Sequence, residues 1–103
     1  MLVTNKYEKD TVVSFKILNG DEIVARVVDE TDDAFVINKP TTVMPSQKGL
    51  GLIQSLFTSE IEKNIRLSKQ HVMMHSSTVR DVEDYYIQTT TGIQPVSNGG
   101  IIT

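Results

Sequence analysis

The dipeptide Asn19-Gly20 constrains the fold more than any other feature of this chain. A two-residue hairpin turn demands positive φ, which Asn and Gly adopt at low cost, and the pair stands between two alternating segments. Before it, in Val12 to Leu18, Val13, Phe15 and Ile17 fall on one side and Ser14 and Lys16 on the other, the period of a half-buried strand. After it, Asp21 to Glu30 sets Ile23, Ala25 and Val27 against Val24, Arg26 and Val28, so this longer strand is partly covered on both faces. Thr31, Asp32 and Asp33 make a second turn. A third strand, Ala34 to Asn38, follows, and Pro40 bends or interrupts it because proline offers no N–H to a ladder.

The next stretch is mixed: Thr42 to Met44 is extended, Pro45 to Gly49 reads as a turn, and Leu50 to Phe57 fits a strand or a short helix. Ile65 to Ser76 is β-like with a polar break at Ser68 to Gln70, a tight turn or bulge between two short strands. The period then changes. Val79, Val82 and Tyr86 form a helical stripe that Tyr85 and Ile87 widen, with Thr78 as N-cap, Asp81 three residues on, and Gly92 as the stop. The expected organisation is an N-terminal extension at 1–11, one barrel-like domain with its helix at 12–92, and a flexible tail at 93–103.

A chain of 103 residues with 39% hydrophobic content holds one core. Its formal net charge of -3 argues against broad electrostatic attachment to nucleic acid or anionic membranes, which rests on many Lys and Arg meeting phosphates. Without cysteine, disulfides, thiolate metal sites and cysteine nucleophiles are all excluded. No apolar run approaches the roughly 20 residues of a membrane span, and the protein is read as cytoplasmic.

The remaining motifs carry little chemistry. His71 and His75 would share a helical face, but on a strand four residues separate them by about 13 Å, too far for one ion. Asp29, Glu30, Asp32 and Asp33 lack the spacing and closing Glu of a calcium loop and suit a solvated hairpin turn. Gly49-Leu50-Gly51-Leu52 lacks the third glycine of a phosphate cradle. With no nucleophile and base in a recognisable pattern, the chain is expected to be no enzyme and to use no metal or cofactor.

The order of strand, Asn-Gly hairpin, long strand, acidic turn and third strand, then Ile65-Arg66 before another strand, resembles the Sm-like (LSm) family. Gly20, Ile23, Ala25 and Val27 match the family's first motif, with Ala25 at a position usually held by glycine; Ile65-Arg66 matches the start of the second, and Leu67-Ser68-Lys69-Gln70 replaces its Gly-Asn loop. Gly49-Leu50-Gly51-Leu52 and the ending from Val82 to Gln94 are more similar to the small Sm-like proteins of tailed phages of marine cyanobacteria than to eukaryotic Sm proteins. The resemblance implies a mainly β fold, a small, strongly bent, five-stranded antiparallel barrel, here with a C-terminal helix. It implies that edge strands pair between copies to close a homo-oligomeric ring, pentamer to heptamer, in the host cytoplasm if the chain is phage-encoded. It further implies single-stranded RNA, U-rich or A-rich, at the pore, with Phe35 stacking on a base, Asn38 reading it, Arg66 behind and Lys69 as a basic neighbour. The alternative is a phage structural or host-protein-binding ring without RNA. Along a regular strand, Phe35 and Asn38 point to opposite faces.

Overall fold

The computed structural model describes residues 6–47, 49–60 and 62–91; the expected helix stop at Gly92 and tail at 93–103 lie outside them. The fold is mainly β, one strongly bent antiparallel sheet with a C-terminal helix. Its strands are β1 (Thr11–Ile17), β2 (Glu22–Glu30), β3 (Ala34–Ser46), β4 (Gly49–Gln54), β5 (Asn64–Ser68) and β6 (Val72–Ser77). A 3-10 turn, Lys69–His71, joins β5 to β6, and helix α1 spans Arg80–Thr91. The expected polar break is that turn, with the Ser68 hydroxyl accepting from the Gln70 N–H.

The order is β4-β3-β2-β1-β6, and β5 lies beside β4 along the same edge of β3. The hairpin at Asn19-Gly20 forms, but as a three-residue loop rather than a two-residue turn: the Ile17 N–H donates to the Asp21 carbonyl at 3.0 Å, Gly20 takes φ of 96° while Asn19 does not enter positive φ, and Lys16 pairs with Glu22 beyond the loop. Beyond it the strand count differs from the five expected. Pro40 does not interrupt β3, which runs on for 13 residues, and Leu50 to Gln54 is strand rather than helix.

A β-bulge explains how the strand absorbs its proline. Val24 pairs with Thr41 and Arg26 with Asn38, so Lys39 and Pro40 together oppose Ala25 alone. Proline is tolerated there because the bulge leaves its nitrogen outside the ladder. Lys39 adopts the left-handed region at φ of 51°, uncommon for a residue with a Cβ, and the strand turns at this point. The bend splits the outer edge of β3 in two: Ala34 to Asn38 pairs with β5, Thr41 to Ser46 pairs with β4, and the loop between β4 and β5 spans the corner.

Both faces of the sheet are buried. Val13, Phe15, Ile23, Ala25, Val27, Phe35 and Ile37 fill the concave side, as the alternation requires, and Phe15 and Phe35 meet edge to face with centroids 5.0 Å apart. Such a contact is worth about 0.5–1.5 kcal/mol beyond the area it buries. On the opposite face Val12 and Val24 pack under Val82 and Tyr86 of α1, flanked by Val43 and Leu52. The helical stripe is therefore realised through Val82 and Tyr86, whereas Val79, Tyr85 and Ile87 stay exposed. Thr78 bonds its hydroxyl to Ser14 Oγ at 2.8 Å and its N–H to the Val12 carbonyl at 3.1 Å, tying the helix entry to β1.

The far end of α1 is stitched to the bulge. The Tyr86 hydroxyl lies 3.0 Å from the Asn38 carbonyl and 2.8 Å from that of Lys39, and Lys39 Nζ donates to the Thr90 carbonyl at 3.4 Å. A lysine there suits the partial negative charge of a helix C-terminus. Burial pushes the Tyr86 phenol up to about 12. Among the described residues no helix is long and apolar enough to cross a membrane.

Candidate functional site

The four residues implied as an RNA site separate into two pairs on opposite faces of the sheet. Cross-strand partners share a face, and β3 pairs Phe35 with Leu67, Val36 with Arg66 and Asn38 with Asn64. Phe35 therefore faces the concave core, while Arg66 and Asn38 share the opposite side. The bulge begins after Asn38 and leaves this alternation intact.

Phe35 is 1% exposed, and its surroundings correct the stacking role. Phe15 and His75 each set an edge against it at 5.0 Å, Tyr7 tilts over it at 6.5 Å, and Lys69 Nζ lies 5.1 Å from its centroid. No ring face remains for a base to stack on. Lys69 is the one member of the set brought to Phe35, and its ammonium also pairs with the Glu30 carboxylate at 2.8 Å. Tyr7, Glu30, Lys69, Val72, Met73 and His75 line a hollow of about 410 Å³ beside the ring. Tyr7 closes one side through a 2.7 Å hydrogen bond between its hydroxyl and His75 Nδ1. Burial, and secondarily the Glu30 charge, raises the Tyr7 phenol above its ordinary value.

Asn38 is likewise removed from a reading role. It is 4% exposed, accepts from Arg26 Nη2 at 2.9 Å, and turns its amide toward the Glu62 and Lys63 carbonyls and Asn64 Oδ1 at 3.2–3.5 Å. Its work is to hold the end of the β4–β5 loop against the bend. Arg66 is exposed and 3.5 Å from Asp33 Oδ1, and the Lys69 N–H donates to the Asp33 carbonyl at 2.9 Å. Asp33 and Glu30 thus pair with the two basic side chains of the set, Arg66 and Lys69.

The margins of the sheet are a different matter. No family model matches this chain, and no curated protein does. What the chain offers a partner must be read from its own surface. Among the described residues β4 pairs only with β3 and β6 only with β1, so each presents one unpaired ladder edge. Neither strand carries Lys, Arg, Asp, Glu or Pro, the residues that ordinarily blunt such edges. Both instead expose apolar side chains, Leu50 and Ile53 on β4 and Met73 and Met74 on β6.

Sequence reasoning missed the contribution of Tyr7 and His75 to the Phe35 environment. Tyr7 precedes the first strand and belongs to no periodic segment. His75 is legible only once β6 is registered on β1, which places it opposite Phe15. The unguarded edges, by contrast, were readable as two uncharged runs.

Proposed function

We propose that this chain is a self-assembling module of the Sm type whose β4 and β6 edges pair head to tail between copies to close a ring, and that the ring presents its faces to protein partners. The observation that carries this reading is the pair of unprotected edges. An exposed apolar strand without charge or proline is a template for another strand, and a soluble chain with two such edges is relieved of both when each meets the other on a neighbour. Pairing two different surfaces is a heterologous contact, which closes when the rotation permits and otherwise grows as a filament. The bend supplied by the Lys39–Pro40 bulge supports closure.

Single-stranded RNA draws less support. Phe35 is covered, Asn38 is engaged with the loop, and Arg66 and Lys69 face Asp33 and Glu30. The reading of a ring without RNA is therefore preferred.

Light scattering after size exclusion tests it. The wild-type chain is expected at a discrete multiple of its 11.5 kDa mass, and Ile53→Lys or Met74→Lys, which places a charge on one edge, is expected to shift it toward monomer. A monomer at every concentration sinks the ring. Fluorescence anisotropy with oligo-U and oligo-A at low salt is expected to show no saturable binding, and tight saturable binding by the assembled ring would restore RNA as its ligand.

A further inference from the structure

The exposed loop Leu18-Asn19-Gly20 holds two groups that react with each other when they meet. An asparagine followed by glycine is open to attack by the next backbone nitrogen, because no Cβ shields that nitrogen. The nitrogen bonds to the asparagine Cγ, its proton leaves with the side-chain amine as ammonia, and a five-membered succinimide forms. Water then opens the ring to aspartate, or to isoaspartate, whose backbone runs through the side chain and is one methylene longer. Access at Gly20 is complete: apart from its chain neighbours, no atom lies within 4 Å of the position a Cβ would take.

Hydrogen bonds in the folded loop oppose that reaction. The Gly20 N–H, whose proton must leave, donates to the Ile17 carbonyl at 2.8 Å. The Asn19 amide is held at both ends by Asp21: Oδ1 accepts from the Asp21 N–H at 2.9 Å, and Nδ2 donates to Asp21 Oδ2 at 3.1 Å. Two flanking bonds keep the loop closed, Ile17 N–H to the Asp21 carbonyl at 3.0 Å and Leu18 N–H to the His71 carbonyl at 2.9 Å, the second tying it to the turn before β6. Ring closure therefore requires the Gly20 bond to break and the Asn19 amide to swing off Asp21.

We infer that Asn19 is a deamidation site gated by the hairpin, reacting with the Gly20 nitrogen only from the open loop, with Asp21 as the latch that keeps the loop shut. The change runs one way. Aspartate or isoaspartate at position 19 lacks the amide donor that Asp21 accepts from, and sets a second carboxylate beside Asp21, with Glu22 next in the chain. Like charges at that spacing repel, so the latch does not re-form in the product. Isoaspartate also lengthens a three-residue loop whose closure depends on Gly20 at φ of 96°, which loosens the junction of β1 with β2 and the Leu18 tie to His71. The inference stands independently of edge pairing.

Deamidation and base-catalysed hydrogen exchange both begin with loss of the Gly20 N–H proton, so one opening event should govern both. The full chain is incubated at mildly alkaline pH, folded and in guanidinium chloride, and peptide mapping by mass spectrometry separates Asn19 from the second Asn-Gly pair, Asn98-Gly99. Asn19 in the folded chain is expected to react about tenfold or more slowly than in the unfolded chain, and the slowdown should match the exchange protection of the Gly20 amide. Asp21→Ala, at an exposed position, should speed the folded-state reaction about threefold relative to its own unfolded rate and lower Gly20 protection by the same factor. Equal folded and unfolded rates would overturn the gating. An Asp21→Ala chain that reacts at the wild-type folded rate would overturn the latch.

Discussion

Replacing Tyr86 with Phe removes one oxygen and tests whether α1 holds the bend in β3. The hydroxyl lies within hydrogen-bonding distance of the Asn38 and Lys39 carbonyls, which belong to the peptides entering and leaving the left-handed residue Lys39. It has a single proton to share, so the loss amounts to about one buried hydrogen bond together with the desolvation of an acceptor, on the order of 1–3 kcal/mol. For a domain near 100 residues that lowers Tm by roughly 4–8 °C per kcal/mol. Alkaline pH reads a separate property of the same side chain, the burial of its phenol. The Tyr86 phenol is raised from 10.0 to about 12 in the folded chain, so the native state holds this proton more tightly than the unfolded state. That contribution is fully present below pH 10 and is lost as pH rises from 10 through 12, amounting to about 2–3 kcal/mol at most. Urea unfolding of both proteins at neutral pH and between pH 10 and 12 measures it. Tyr86→Phe should be less stable at neutral pH and should lose less on going alkaline. Equal neutral stability would refute the claim that this hydroxyl secures the bend, and parallel alkaline losses would refute the burial of its phenol.

Phe35→Ala is expected to destabilise by about 3–5 kcal/mol, as loss of a buried aromatic does, and denaturant unfolding will show a core defect rather than a selective binding defect. Asn38→Leu removes the amide that holds the loop, so hydrogen exchange of the Glu62 to Asn64 amides should accelerate while β1 and β2 amides keep their protection. Arg66→Ala breaks only a solvent-exposed pair with Asp33, and its unfolding midpoint should correspond to a change below about 1 kcal/mol.

The parts of the fold that were legible were those set by local chemistry. Asn19-Gly20 fixes its turn through φ, alternation fixes which residues of β1 and β2 enter the core, and the change of period locates the helix. Pro40 misled because the rule against proline in a strand holds for a regular ladder, whereas a bulge stabilised by a tyrosine more than 40 residues away removes the conflict. The identities of Phe35 and Lys69 as neighbours were also within reach. Their roles were not, because burial of Phe35 depends on Tyr7 arriving from the N-terminal extension and on His75 arriving with β6. Asn38 looked like a polar residue near the end of a strand, and nothing adjacent to it shows that a loop beginning 17 residues later turns back onto its amide.

The corner that the bulge makes in β3 also bears on what this chain can carry. Because β4 and β5 are registered independently on the two arms of β3, the connection between them is not required to preserve a single ladder. Its two ends are anchored separately, Ser55 to the Pro40 carbonyl and Asn64 to the Asn38 amide. Lengthening a connection whose ends are already fixed costs only about 0.6 kcal/mol for each doubling. A peptide grafted into this connection would thus leave both flanking strands in register, provided that it spares the turn in which the Ser59 N–H and hydroxyl both donate to the Leu56 carbonyl.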